Sequence, residues 1–207
     1  MCCLPKIVLF ILLLFAITSL TSCEREVSAV YSTPCGLQSL DNYYWNFNEK
    51  IKVEPAPYSL LLISKDTSTN RQVRQWLSQN PLVGSTAEAS FNVAVAHLYQ
   101  DERKRLEFLD AIVKRFPDVV VSQSITYRGS IIHVLNQVDL KPNANTDIQS
   151  VIRQFGDSVK LIRSTQYNTY LFEVATCKNA MDVANRIQES GLVEWCTPNF
   201  LGTYRVL

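Results

Sequence analysis

The feature that most constrains this chain is one order of apolar patterns that occurs twice. Each time, a strand pattern leads into an amphipathic helix, two strand patterns follow, and a second helix leads into a last strand. The final helix shows the pattern best, since its apolar residues recur at i, i+3, i+4 and i+7 and form one stripe: Ala180, Val183, Ala184 and Ile187. Asn179 is its predicted N-cap and Gly191 its predicted stop.

The two copies lie on either side of a break at Arg128 and Gly129. Their order, β-α-β-β-α-β, is that of the ferredoxin-like motif, in which two helices cover an antiparallel sheet. We therefore expect an α+β protein of two tandem ferredoxin-like units with antiparallel sheets, preceded by a short β-hairpin. The predicted strands are 59–64, 82–90, 91–98, 119–122, 131–138, 159–165, 169–174 and 193–197, and the predicted helices are 70–80, 102–116, 146–155 and 179–189.

This order sets the domain prediction, with the hairpin and first unit at 41–128 and the second unit and a C-terminal tail at 129–207. The hairpin is predicted at 41–53, with its turn at 48–50. The last strand of the chain is predicted to end at Pro198. The aromatic residues of the hairpin are predicted to form a packed cap in preference to an exposed sugar-binding or peptide-binding cluster: Tyr43, Tyr44 and Trp45.

Right-handed connections place both helices of a unit on one face of its sheet. The other face stays open unless the second unit or a partner covers it. Alternation along the strands puts Leu171 and Trp195 on one face of the second unit and does not by itself decide which face the helices cover. It puts on the other face our candidates for an open, protein-binding surface: Tyr167, Tyr170, Phe172, Glu194 and Cys196.

The first residues have the composition of a lipoprotein signal peptide, predicted at 1–22. An apolar run from Ile7 to Ile17 is followed by Leu-Thr-Ser-Cys, which is similar to a bacterial lipobox and makes Cys23 the predicted lipid acceptor. An ordinary secretory signal that contains Cys23 is the alternative. The polar segment 23–40 is the predicted tether from membrane to domain. We therefore expect a cell-envelope protein anchored by lipid to the outer membrane, with surface exposure and a location inside the envelope left as alternatives.

Composition and cysteine spacing exclude several other classes. Lys and Arg number 20 against 19 Asp and Glu, so no basic field favours nucleic acid as a partner. Without the signal and the lipid acceptor three cysteines remain, Cys35, Cys177 and Cys196, which allow at most one disulfide and match no zinc spacing. Which two would pair is left open.

No catalytic, metal or cofactor motif is recognisable. The chain has two histidines, His97 and His133, which stand isolated in predicted strands among apolar residues, where a structural role is the usual one. There is no nucleophile elbow, no glycine-rich phosphate loop and no helical pair of metal ligands. We therefore expect a protein that is not an enzyme and uses neither cofactor nor metal.

The segment NAMDVANRIQESGLVEWCTPNF, from Asn179 to Phe200, resembles the end of the N-terminal prodomain of subtilisin-like serine proteases, in particular those of Bacteroidetes. The aromatic run at 41–45 resembles the opening of such prodomains, so the resemblance covers most of the mature chain. It implies binding to a protease through the open sheet face and through a tail held in the protease cleft like a product. Leu207 would then fill the first specificity pocket and Tyr204 the fourth, while a merely packed tail is the alternative.

The expected function is that of a stand-alone, lipid-anchored prodomain that binds a subtilisin-like protease as an inhibitor or as a folding chaperone. The triad that such a protease needs is not recognisable in this chain. Two alternatives remain: a surface lipoprotein that binds a peptide, glycan or protein, and a remnant of a protease gene without a function of its own.

Overall fold

The computed structural model of the chain describes Leu37 and residues 41–90, 92–175 and 177–202. Within them the protein is α+β, with a two-stranded and an eight-stranded sheet, both antiparallel. The strands are β1 (Tyr43–Asn46), β2 (Glu49–Lys52), β3 (Glu54–Ile63), β4 (Val83–Ser90), β5 (Val93–Leu98), β6 (Val120–Tyr127), β7 (Ser130–Pro142), β8 (Val159–Ser164), β9 (Tyr170–Val174) and β10 (Val193–Gly202). The helices are α1 (Thr67–Gln79), α2 (Glu102–Arg115), α3 (Ile148–Phe155) and α4 (Ala180–Glu189).

One long strand, β7, holds the large sheet together. The strands run in the order β4-β5-β3-β6-β7-β9-β8, and β10 also pairs with β7. β7 pairs with β6 at residues 130–133, with β9 at 137–140, and with β10 along 132–142. The first half of the sheet therefore has the order β4-β5-β3-β6 and the second half the order β8-β9-β7-β10.

The two halves meet in the β6–β7 hairpin. Tyr127 pairs with Ser130, and the two residues between them, Arg128 (φ 49°) and Gly129 (φ 76°), both have left-handed backbone. A two-residue loop with positive φ at both positions matches the right-handed twist of the flanking strands. The predicted break at these residues is thus a tight turn inside one sheet.

All four helices lie on the same face of the sheet. α1 and α2 pack on one apolar core with β3, β5 and β6, and α3 and α4 pack on another with β7, β9 and β10. β6 joins the two, because Val121 belongs to the first core and Ile125, four residues on along the same strand face, to the second. Each core is built by the predicted apolar stripes, such as Val183, Ala184 and Ile187 of α4.

The opposite, helix-free face is partly covered by the sheet itself. Leu61 and Val95 of the first half are almost fully buried there, in a cluster that also contains Val93. Leu135 of β7 and Leu201 of β10 pack against this cluster from the second half. The two halves therefore cover each other's helix-free face near their junction, which is one of the outcomes that the sequence left open.

Two strand boundaries differ from the prediction for the same reason. β3 begins at Glu54 and contains Pro55 and Pro57, and β10 continues past Pro198 to Gly202. Residues 54–56 pair only with β6, and β10 pairs only with β7, so each proline lies where one strand edge is free. Proline is tolerated at such positions because no N–H is needed there.

The hairpin β1–β2 forms as predicted, with its turn at Phe47 and Asn48 instead of 48–50. Although it precedes the first half, it packs against the second: the Tyr44 and Phe200 rings are 4.9 Å apart, and those of Phe47 and Trp195 are 5.7 Å apart. In the part of the chain that the structure describes, no helix is long and apolar enough to cross a membrane.

Candidate functional site on the helix-free face

The sheet residues predicted for protein binding do not share one face. Tyr167 is 73% exposed in the β8–β9 connection, while Tyr170 is half-buried and its hydroxyl donates to Asn168 Oδ1 at 2.9 Å. Phe172 is fully buried in the second core. Glu194 is exposed and forms an ion pair with Lys141 at 2.6 Å.

The prediction that Phe172 and Cys196 point to an open face is wrong. Both side chains are fully buried beneath α3 and α4. Because side chains alternate along a strand, the neighbours of these two, Leu171 and Trp195, lie on the helix-free face. Alternation along the strands therefore sorted the side chains correctly onto two faces. It did not identify which of the two faces the helices cover.

We call the part of the helix-free face away from the junction the Trp195 face. Its strand pairs are Arg163 with Leu171, Leu171 with Asp139, Asp139 with Thr197, and Lys141 with Trp195. The surface therefore has an apolar centre, made of the half-buried Trp195 and the buried Leu171, with charges of both signs around it. It is defined by these six residues: Asp139, Lys141, Arg163, Leu171, Trp195 and Thr197. Burial raises the pKa of the Asp139 carboxyl, and the nearby Arg163 guanidinium offsets part of that rise.

The edges of the second half differ in their protection. The backbone N–H of Cys196 donates a hydrogen bond to Gln188 Oε1 at 2.5 Å, and Pro198 has no N–H. The edge of β10 therefore has few free backbone N–H groups with which another strand could pair. β8 forms the opposite edge, where Leu161 and Ile162 are 40% and 47% exposed. β8 is thus the more accessible edge for main-chain pairing.

A second arrangement, which the sequence did not predict, is a row of four polar side chains on the same face near the junction. Ser59 Oγ lies 3.1 Å from His97 Nδ1, and Ser124 Oγ lies 2.6 Å from His133 Nδ1. The row crosses β5, β3, β6 and β7 in sheet order, and the two imidazole centroids are 6.4 Å apart. The expectation that the two histidines stand isolated is therefore wrong.

This row, which we call the histidine row, is buried at His133, Ser124 and Ser59 and half-buried at His97. His133 is 1% exposed, and its Nε2 has no hydrogen-bond partner. Burial lowers the pKa of His133 to about 4, with a further contribution from His97, and burial also lowers the pKa of His97. Ser59 and His97 border a cavity of about 340 Å³ that is also lined by Tyr58, Thr126 and Ile131. No sequence motif pointed to the pair, because the two residues are distant in the chain.

Several predicted residues lie outside the described part of the chain: the signal segment 1–22, Cys23, most of the tether, and the tail residues Tyr204 and Leu207. Cys177 is disulfide-bonded to a partner that is also outside it. Cys196 is a free, buried thiol whose pKa is raised by burial. Within the described residues, no three histidine, cysteine or acidic side chains come together as a metal site.

Comparison of the chain with protein-family models, with curated proteins and with solved structures finds no match.

Proposed function

We propose that this chain is a prodomain-like lipoprotein that binds a subtilisin-like protease as an inhibitor or folding chaperone, with the Trp195 face as its main contact surface. Each half would be a ferredoxin-like unit, and Cys23 would carry the lipid anchor to the outer membrane. The resemblance of residues 179–200 to subtilase prodomains suggests the partner.

The observation that carries the proposal is the uncovered part of the second half. All four helices lie on the other side of the sheet, and the first half covers the helix-free face only near the junction. A half-buried Trp195, which the Phe47 ring of the hairpin contacts, and a buried Leu171 form a small apolar centre, and Lys141 and Arg163 give it a charged rim. Interfaces that form and dissociate have this composition.

The strand order supports assigning each half to the ferredoxin-like motif. In the order of the chain, the strands of each half are arranged second, third, first and fourth across the sheet, and both helices pack on one face. Such a unit has one face for its own helices and one for a partner. Binding to the folded protease but not to its unfolded chain would stabilise the folded form, which is how a chaperone role would arise.

The experiment is a titration of soluble protein, residues 24–207, against a subtilisin-like protease from the same source, with hydrolysis of a peptide substrate as readout. Arg163→Glu reverses one exposed charge on the Trp195 face, and Arg153→Glu is the matched control on the exposed side of α3. We expect Arg163→Glu to weaken inhibition by about tenfold and Arg153→Glu to leave it unchanged. Equal inhibition by both variants would exclude this face.

The same titration tests the tail. Deleting Tyr204 to Leu207 should weaken inhibition strongly if the tail occupies the cleft like a product, because strand addition and side-chain pockets would both be lost. Undiminished inhibition by the shortened protein would exclude that mechanism. If the full-length protein neither inhibits the protease nor improves its refolding, the prodomain function itself is wrong.

A second candidate function, a surface lipoprotein that binds an extended peptide, is favoured by the edge strand β8. Leu161 and Ile162 are exposed on this edge, and an exposed apolar edge is a template for strand addition. Ile162→Lys should abolish binding of such a peptide and leave protease inhibition through the Trp195 face intact. The reverse result would assign the protease contact to β8.

A further inference from the structure

The histidine row lies where the two halves of the sheet join. His97 and Ser59 belong to the first half, Ser124 is on β6, and His133 is on β7, immediately after the hairpin that connects the halves. Any change that separates the row therefore acts on the pairing of β6 with β7. This pairing comprises four residue pairs.

The row has no charge that could balance a protonated imidazole. Across the strands, Ser85 of β4 lies opposite His97 and Leu201 of β10 lies opposite His133. The acidic residues elsewhere on these strands are Glu54 of β3, Glu88 of β4, Asp139 of β7 and Glu194 of β10. Among the described side chains, those of residues 41–87, 92–175 and 177–201, the titratable group that lowers the pKa of His133 is His97.

Protonation would therefore place a cation at the fully buried His133, beside a second cation at the half-buried His97. His97 borders a cavity, whereas His133 has the Ser124 hydroxyl as hydrogen-bond partner and an Nε2 without one. A buried charge without a partner is relieved by opening of the structure around it. Because Ser124 and His133 face each other across β6 and β7, separation of these two strands would admit water to the His133 imidazole.

We propose that the histidine row is an acid-sensitive joint, at which protonation of His97 and His133 opens the β6–β7 junction while the helices of each half stay packed on their strands. The joint does not depend on which partner the Trp195 face binds. It would make the relative arrangement of the two halves respond to acidification of the surroundings.

Protonation of His133 and opening of the β6–β7 junction are linked, and the two pKa values of His133 set the size of the effect. A neutral His133 is favoured in the closed form, since its pKa of about 4 there compares with about 6.5 in an open, hydrated site. The closed form thus loses stability as the pH falls from 6.5 towards 4. For this one group the opening constant should rise roughly 20-fold between pH 7 and pH 5.

Hydrogen exchange measured by mass spectrometry at pH 7 and pH 5, corrected for intrinsic rates, tests the joint. In the wild-type protein we expect protection of residues 124–135 to fall roughly 20-fold, while α1 to α4 keep theirs. The variant His97→Gln/His133→Gln retains a side-chain amide for each serine and should show no such fall. Equal loss in the wild type and the variant, or no loss in either, would overturn the proposal.

A second measurement needs no variant. The chain contains two histidines, so both imidazoles can be followed by NMR as the pH is lowered in tag-free protein. We expect the His133 signals to titrate well below pH 6, together with changes at the β6–β7 amides. Titration near 6.5, or titration without change at those amides, would contradict the joint even if the glutamine variants fold poorly.

Discussion

Asn185 Nδ2 donates a hydrogen bond to Asp41 Oδ2 at 2.8 Å, and this bond ties the start of the β1–β2 hairpin to the last helix of the chain. The same amide also donates to the Tyr43 carbonyl at 3.0 Å. One turn further along α4, Glu189 accepts from the Tyr43 hydroxyl at 2.9 Å and from Trp45 Nε1 at 3.2 Å. The prediction that the aromatic run forms a packed cap is therefore confirmed.

The first prediction concerns this tie. Asn185 is 1% exposed, so Asn185→Ala removes two hydrogen bonds from a buried site and leaves the Tyr43 carbonyl without that donor. We expect a loss of about 1–3 kcal/mol in the free energy of unfolding. Urea denaturation followed by circular dichroism measures it. Gln154→Ala, an exposed amide on α3, is the control and should change stability by less than about 0.5 kcal/mol.

Most elements could be predicted because their apolar periodicity is strong. The α4 prediction 179–189 differs from the observed Ala180–Glu189 by one residue, and Asn179 caps it through the Met181 N–H at 2.9 Å. The strand boundaries were predicted wrongly where the effect of a residue depends on the position of its strand in the sheet. Pro198 was predicted to end the last strand, yet it lies within β10, which pairs with β7 on one side only.

The candidate site was harder to predict than the fold. Alternation places Phe172 and Leu171 on opposite faces of the sheet but does not tell which face is covered. That depends on where the helices pack. The histidine row depends on strand order: His97 and His133 become neighbours only because β3 and β6 lie between their strands and carry small serines. A single sequence contains no local signal for such a pairing.

The second prediction separates core from surface among the residues first assigned to one binding face. Phe172→Ala should destabilise the protein by about 3–5 kcal/mol, because it leaves a cavity under α3 and α4. Tyr167→Ala should change stability by less than about 0.5 kcal/mol, since its ring is mostly in solvent. Thermal unfolding of the two variants compares them, and similar losses in both would contradict the observed orientation of β9.

The third prediction concerns the hairpin that joins the halves. Gly129 has a φ of 76°, and a Cβ added to it would have no neighbour within 4 Å. Gly129→Ala therefore adds backbone strain without a clash and should lower the free energy of unfolding by about 1 kcal/mol. Gly84→Ala is the matched control, because Gly84 does not have positive φ and its nearest neighbours are at ordinary contact distances of 3.5 Å. Equal stability of the two variants in urea would mean that the turn tolerates a side chain.

The last prediction concerns the thiols. Soluble protein of residues 24–207 retains Cys35, Cys177 and Cys196. Cys177 is disulfide-bonded, and Cys196 is free, fully buried and has a raised pKa, so it will not react as a thiolate while the protein is folded. In this soluble protein we therefore predict that Cys35 pairs with Cys177. We expect no reactive thiol in the native protein, one after denaturation without reductant, and three after reduction.

Peptide mapping should link Cys35 to Cys177, and Cys196→Ala should leave that link in place. A reactive thiol in the native protein, or a link that includes Cys196, would show that the thiols are arranged differently.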